Sequence, residues 1–399
     1  MKIDIYIEAR KFLSIYLTMS RYIILLLLYC SIGIQTYVSN AIALPIQLTA
    51  PKVAVFDLFS NTMLLEHNID EQIVPSSMSN LMTLYVTFSY IKAGFIRMED
   101  KFKTSKEAWQ KGGNSMFLRA GQLVAVRDLI NGIITTSAND ACITLAEGVA
   151  GSQENFVNEM NRIAQKLNLT KSHFTNVIGA QDKNQVMSTR DLITLIVKLF
   201  EDFPEYYHLF SKKDLKYNNI YQESSNLLLS DNRIDGMISG HTDITGYGSI
   251  ISAKHEGRRI FILINGLKTE KERLSEIKQL LDYSFNNFSS KTIFHKDNKV
   301  KKIAVRNGDA KYVEAVFNND ITVLYPKGSY NTVKTFFSHD NVISAPIKKG
   351  QEIGKLYIQI PEFTERVIPI YAANDVNSLH FFQRIWYIFF PKPDKSVSQ

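Results

Sequence analysis

The spacing of apolar residues changes near residue 288, and this change narrows the possible architectures more than any other feature of the sequence. Ahead of it, VAVFDLFSNTMLL (Val53 to Leu65) reads as strand, turn and strand, with Ser60-Asn61 in the turn. Pro75-Ser76-Ser77 then marks the start of a helix over Met78 to Ile91. Helical spacing predicts further helices over Val126 to Thr135, Ala141 to Val149, Gln153 to Leu167 and Thr189 to Leu199. Strands return at Gly248 to Ala253 and Arg259 to Leu263, followed by a helix over Glu270 to Phe285. Strands, many helices, then strands form an α+β pattern around one sheet. Beyond residue 288 the apolar runs are short and alternating: Ile303 to Val305, Ala315 to Phe317, Ile321 to Tyr325, Ile353 to Ile360 and Val367 to Tyr371. Turns fall at Asn307-Gly308, Pro326-Lys327-Gly328 and Lys349-Gly350, which predicts a small all-β domain.

Two segments at the ends differ from this body. Residues 1–43 read as an export signal: Arg21, the apolar run Ile23 to Leu28, a looser stretch, then Ala41-Ile42-Ala43 as a small-x-small cleavage site. A start at Met19 instead of Met1 makes that signal more compact. A retained anchor is the alternative, although the strongly apolar stretch falls short of a comfortable span. The bulky Tyr29 before Cys30 argues against a lipoprotein. The tail LHFFQRIWYIFF, Leu379 to Phe390, places His380, Gln383, Arg384 and Tyr387 on one helical arc and aromatic or aliphatic residues on the rest. It suits the plane of a membrane surface, with Lys392 and Lys395 near anionic headgroups; docking on the β domain is the alternative. The expected organisation is therefore signal 1–43, α+β domain 44–287, β domain 288–373 and anchoring tail 374–399.

The 399 residues carry a formal charge of +7, with 45% hydrophobic residues, enough for a normal core. Such a balance favours anionic surroundings, lipid headgroups or cell-wall polymers. Nucleic acid is excluded as a partner, because no recognition motif is present and the lysines are dispersed except around Lys296, Lys299, Lys301 and Lys302. Only Cys30 and Cys142 occur, and Cys30 precedes the cleavage site, so the mature chain has no disulfide. His67, His173, His208, His241 and His255 lack ligand spacing with one another, so no metal site and no cofactor are expected.

Three stretches in chain order carry the chemistry: PSSMSNLMT at 75–83, SAND at 137–140 and DGMISGHT at 235–242. They resemble the three boxes of penicillin-binding proteins and class A β-lactamases, S-x-x-K, S-x-N and K-T-G. With GGNSMFL at 112–118, FVNEMNRIAQKL at 156–167, STRDL at 188–192 and TGYGSIISA at 245–253, the chain from Val53 to Phe390 is most similar to the low-molecular-weight D-alanyl-D-alanine carboxypeptidases, serine peptidase family S11. The resemblance implies a transpeptidase-like domain and a cell-wall stem peptide as substrate, with β-lactams as inhibitors.

In that family the first-box serine attacks the carbonyl between two D-alanines, and the lysine one helical turn later takes its proton. The resemblance thus makes Ser77 the nucleophile, or, without it, a plain helix cap. The lysine position is Asn80, and a carboxamide cannot accept a proton at neutral pH. Ser137 matches the proton relay to the leaving amine and Asn139 the substrate-amide contact. Of the third box, Ser239 keeps a hydroxyl, Gly240 permits close backbone approach and Thr242 lies just beyond, but Ile238 replaces a cation with branched hydrocarbon. Backbone oxyanion donors, the N–H of Ser77 and one on the substrate-facing strand, do not depend on side chains.

His241 and Lys92 are the candidate substitute bases. Histidine is common at the former position in the family, and the latter lies about 22 Å along the helix from Ser77. Cys142 reads as a small core residue. The sequence is expected to encode an exported stem-peptide-binding relative at the outer face of the inner membrane, with catalysis lost or strongly impaired. An active carboxypeptidase with an unconventional base and a non-catalytic scaffold are the competing readings.

Overall fold

The structure, a computed structural model, describes residues 46–380 except Ile244 and Glu362. The predicted export signal, and the tail beyond residue 380, lie outside the described residues.

Lys52–Asp57 (β1) and Thr62–His67 (β2) form the expected hairpin, and Asn61 takes the left-handed backbone its turn requires. The remaining main strands of this part come late in the chain: Ile234–Thr242 (β3), Gly246–His255 (β4) and Arg258–Leu267 (β5). All five make one antiparallel sheet in the order β2-β1-β5-β4-β3, so β3 is an edge strand. Register aligns Ala54, Leu263, Ile250 and Ile238 in one row across four strands, and every member is fully buried. Because side chains alternate along a strand, this row lies on one face, packed into the same core as the helices.

Those helices are Asn80–Lys92 (α1), Val126–Thr136 (α2), Asn139–Ala150 (α3), Gln153–Lys166 (α4) and Thr189–Asp202 (α5). The α1 helix is apolar almost all round, buried from Asn80 through Phe88, which suits its place inside the bundle. Ser152 caps α4 and Ser188 caps α5, each side chain accepting from the N–H three residues on. A last helix, Glu270–Asn287 (α6), packs on β4 and β5 and begins with a reciprocal capping box of Thr269 and Glu272.

From α6 the chain passes directly into Phe288–Phe294 (β6), with no glycine or proline to mark the change. Lys301–Arg306 (β7), Tyr312–Val316 (β8), Ile321–Pro326 (β9), Lys334–Ser338 (β10), Val342–Ser344 (β11), Glu352–Gln359 (β12) and Arg366–Ala372 (β13) follow. They pair as a six-stranded sheet, β10-β12-β13-β8-β7-β11, beside the two-stranded β6-β9. This part has its own apolar core, including Ile303, Val313, Phe317, Leu356 and Ile370. The α+β reading and the all-β C-terminal part are both present. Strands β6, β10 and β11, and a small hairpin of Asp214–Tyr217 with Ile220–Glu223, extend beyond the sequence expectation. At the junction, buried Arg258 forms an ion pair with Asp57 at 3.0 Å and donates through Nη1 to the carbonyls of Ser284 and Phe288.

Candidate active site

The first box starts with a 3-10 turn, Ser76–Ser79, that runs into α1. In a 3-10 turn side chains three apart eclipse, so Ser77 and Asn80 stand one above the other. Neither helix start here has a side-chain cap, and half-buried Ser77 lies inside the turn, which removes the cap reading for it.

Several interactions hold the turn in place. Ser76 adopts φ +51° and its hydroxyl donates to the carbonyl of His241 at 3.3 Å. Ser79 donates to the carbonyl of Ser76 at 2.9 Å, and Gln185 donates to Ser79 at 3.2 Å. Gln185 in turn accepts from the backbone of Thr175 and Asn176, so the 175–185 loop braces the box. Gly179 in that loop has φ +71°, and a Cβ there would lie 2.2 Å from the carbonyl oxygen of Ser76. No larger residue fits this crossing.

Asn80 is fully buried, and neither its Oδ1 nor its Nδ2 has a hydrogen-bond partner. An orphaned buried polar group costs about 1–3 kcal/mol, so this carboxamide weakens the helix start rather than securing it. Lys92 reaches the other end of α1, where Nζ donates to the carbonyl of Asp202 at 2.6 Å. Among the described residues no lysine hydrogen-bonds to Ser77 or Asn80.

The second box joins α2 to α3. Ser137 closes α2 in the left-handed conformation, φ +54°, and its buried hydroxyl has no partner. Asn139 opens α3; its N–H donates to the carbonyl of Asn114 at 2.7 Å and its Nδ2 to the carbonyl of Gly112 at 3.0 Å. The next residue, Asp140, is buried and acts as the fastener. Its carboxylate accepts from Ser115 Oγ at 2.6 Å and from the N–H groups of Met116, Leu118 and Ala141 at 2.9–3.0 Å. The 112–118 stretch is thereby clasped to the second box. The sequence pattern marks both segments but gives Asp140, Gly179 and Gln185 no part, because no local pattern shows their distant partners. The α3 helix packs on α1, and α2 packs on β3. Cys142 on α3 is fully buried, and burial raises its thiol far above the ordinary value.

The third box lies on the edge strand β3. Gly240 faces the first box: a Cβ there would be 3.4 Å from Ser77 N and 3.3 Å from Ser76 Oγ. First and third boxes therefore touch through backbone. Ser239 Oγ is 2.7 Å from Ser249 Oγ on β4, and Thr242 Oγ1 is 2.5 Å from Thr245 Oγ1. Ile238 does not reach solvent, because it completes the buried row with Ala54, Leu263 and Ile250. Burying that side chain favours folding by about 2 kcal/mol, whereas a lone buried cation there would cost several. His241 stacks on Tyr247 with ring centroids 4.0 Å apart, and the Arg273 guanidinium lies 5.6 Å from the Tyr247 ring. Arg273 is buried, and desolvation lowers its pKa below the ordinary arginine value.

Known proteins share this fold. A family model described as D-alanyl-D-alanine carboxypeptidase matches residues 38–269, and one described as penicillin-binding protein 5, C-terminal domain, matches residues 288–378. The D-alanyl-D-alanine carboxypeptidase DacC of Escherichia coli is 34% identical over 341 residues, covering 83% of this chain and 85% of that protein. The crystal structure of penicillin binding protein 5 from Haemophilus influenzae superposes with a TM-score of 0.80 at 33% identity, covering 84% of this chain and 99% of the other. Penicillin-binding protein D2 of Listeria monocytogenes, solved in an ampicillin-bound form, is 28% identical with a TM-score of 0.53, covering 60% of this chain and 98% of its own. A transpeptidase-like α+β part, a penicillin-binding-protein-type β part and three boxes in family order converge: this chain belongs to the S11 family of D-alanyl-D-alanine carboxypeptidases, the low-molecular-weight penicillin-binding proteins.

Proposed function

We propose that this chain binds D-alanyl-D-alanine-terminated stem peptides of the cell wall in the cleft between its first and third boxes, and cleaves them at a rate near or below detection. The observation that carries this reading is Asn80: a fully buried carboxamide directly above Ser77, with no lysine bonded to either residue. In this reading Ser77 is the serine placed for attack, and the carboxamide beside it accepts no proton at neutral pH. Loss of a general base costs a factor of about 10²–10⁴ in rate. Loss of an electrostatic stabiliser at position 238 costs about 10²–10³, overlapping with the first rather than multiplying it.

Binding draws on groups that do not need those lysines. The edge of β3 pairs with an extended peptide, Gly240 lets it approach, and the N–H of Ser77 and a neighbouring strand N–H hold the carbonyl oxygen. Ser137, Asn139, Ser239 and Thr242 supply side-chain polar contacts around the bound peptide. The same contacts suit a β-lactam, held without fast acylation. The small-x-small site ending at Ala43 supports export, and the 374–399 tail supports residence at the periplasmic face of the inner membrane.

Calorimetry and a D-alanine release assay on the same purified protein test the reading together. Saturable binding of a pentapeptide ending in D-Ala-D-Ala, without D-alanine release, is the expected result. Release at ordinary carboxypeptidase rates contradicts the loss of catalysis, and absence of binding favours a scaffold with an unused cleft.

A further inference from the structure

The positive charge of this chain is unevenly placed. Residues 44–287 carry 26 lysines and arginines against 27 acids, whereas residues 288–378 carry 13 against 9. The excess belongs to the β part and not to the part that holds the three boxes, so an anionic partner is drawn to the β part.

Ile303 and Val313 point into the core of that part, so Lys302, Ala304 and Arg306 on β7 and Tyr312 on β8 lie on the outer face of its sheet. Register sets Val342, Ala304 and Tyr312 in one row across β11, β7 and β8. Tyr312 is 54% exposed and Val342 43%. Lys302 and Arg306 bracket this row; both are exposed, and neither makes an ion pair among the described residues. Lys348 and Lys349 stand exposed at the same end of the sheet, next to the Ile347–Val376 bridge. Acids alongside are engaged: Glu314 pairs with Lys299, Asp309 accepts from Asn377, and Asp375 accepts from the Lys349 N–H. Asp340, two residues before Val342, is exposed and outnumbered by these four cations.

The described chain ends at this same place. Ser378 bridges Gly308, and the Leu379 N–H donates to the carbonyl of Asn307 at 2.9 Å. Asn307 is three residues, roughly 10 Å, along the chain from Ala304, so the aromatic tail of the sequence starts beside the row. An anionic polymer would use the cations and gain nothing from Tyr312 and Val342. A bilayer surface uses both, because phosphate headgroups meet the cations while a tyrosine and a valine enter the interfacial region.

We propose that this face of the β part makes a second contact with an anionic lipid surface, beside the tail, and so fixes which side of the molecule faces the bilayer. The inference rests on the membrane residence proposed above and adds the surface that orients the β part.

Sedimentation of the full chain with vesicles of phosphatidylcholine, alone or mixed with phosphatidylglycerol, provides the test. Lys302→Gln with Arg306→Gln is expected to weaken binding to the anionic vesicles about tenfold and to leave binding to the neutral ones unchanged. Tyr312→Ser with Val342→Ser is expected to weaken binding to both about threefold. Phe336→Ser with Val367→Ser is the control: both residues are exposed on the same face, but register puts Val367 about 27 Å along the strands from Tyr312, and binding should not change. All six residues are exposed, so a retained cooperative melting transition confirms that each variant folds. Loss in the charge variant without loss in Tyr312→Ser with Val342→Ser assigns the face to an anionic polymer and overturns the lipid contact. Full binding by both variants, or an equal loss in the control, also overturns it and leaves residence through the tail in place. Failure of the unaltered chain to bind either vesicle overturns both.

Discussion

The sheet side of the cleft and its helix side are built from different materials. On the sheet side, Gly240 and Gly248 face each other across β3 and β4, and a Cβ at the former would come within 3.4 Å of Ser77 N. What this side presents toward the Ser76–Ser79 turn is backbone, fitted closely to it at Gly240. On the helix side the work falls to side chains, and there Asn80 and Ser137 present buried polar atoms with no partner. Backbone geometry survives a side-chain replacement because the fold enforces it, whereas proton transfer depends on the identity of one atom. Binding and turnover can therefore come apart in this scaffold, and the differences between the two sides can be measured.

The largest effect is expected from restoring both lysines. In Asn80→Lys with Ile238→Lys, D-alanine release should rise by a factor of about 10²–10⁴ over the unaltered chain if the sheet side is ready to hold substrate. Ile238→Lys alone should instead lower stability by about 3 kcal/mol, read as a shifted urea midpoint, because it puts a lone cation into the apolar row. A stable single variant would break the claim that this row is closed.

Next in size is Gly179→Ala. A methyl 2.2 Å from the Ser76 carbonyl at φ +71° should cost about 3 kcal/mol in unfolding free energy and weaken peptide binding with it. An unaffected midpoint would show that the brace on the first box is dispensable.

Asp140→Asn sharpens the helix side. It replaces one acceptor oxygen with a donor and strands two of the four hydrogen bonds that the carboxylate accepts, three of which clasp the 112–118 segment, at about 2 kcal/mol. Chemical denaturation measures the loss, and peptide affinity should fall because Asn139 is held by the same segment.

The smallest effect concerns the approach to β3. Arg233, bonded to Asp231 and Asp282, holds the Asp231 carboxyl below the ordinary aspartate range. A depressed folded value stabilises above the unfolded pKa, near 3.9, and that contribution declines as pH falls through the folded value. The pair is partly exposed, so Asp231→Asn should remove under about 1 kcal/mol at neutral pH and less at pH 3, below the unfolded value. Melting curves at the two pH values give the comparison.

Much of this architecture was legible from local pattern. The β1–β2 hairpin, the five long helices after Pro75 and the turns at Asn307, Gly328 and Gly350 all carry their own punctuation, and each of those three turn residues takes positive φ. Strand β6 was hidden because it follows α6 without a break, and β10 because four of its five residues are exposed and show no alternation. At the site, the three boxes were visible as strings. The burial of Ile238 in a four-strand row, the Asp140 clasp and the Gly179 crossing required register and long-range contact, which no window of sequence contains.

The proposed loss of turnover depends most on Ser77 lacking a neighbour that can take its proton. Intact-mass analysis of the protein incubated for hours with a labelled penicillin reads this directly. The expected spectrum shows unmodified chain, with an adduct on Ser77 emerging only in the variant carrying lysine at positions 80 and 238. Stoichiometric acylation of the unaltered chain within minutes, lost in Ser77→Ala, would contradict the account.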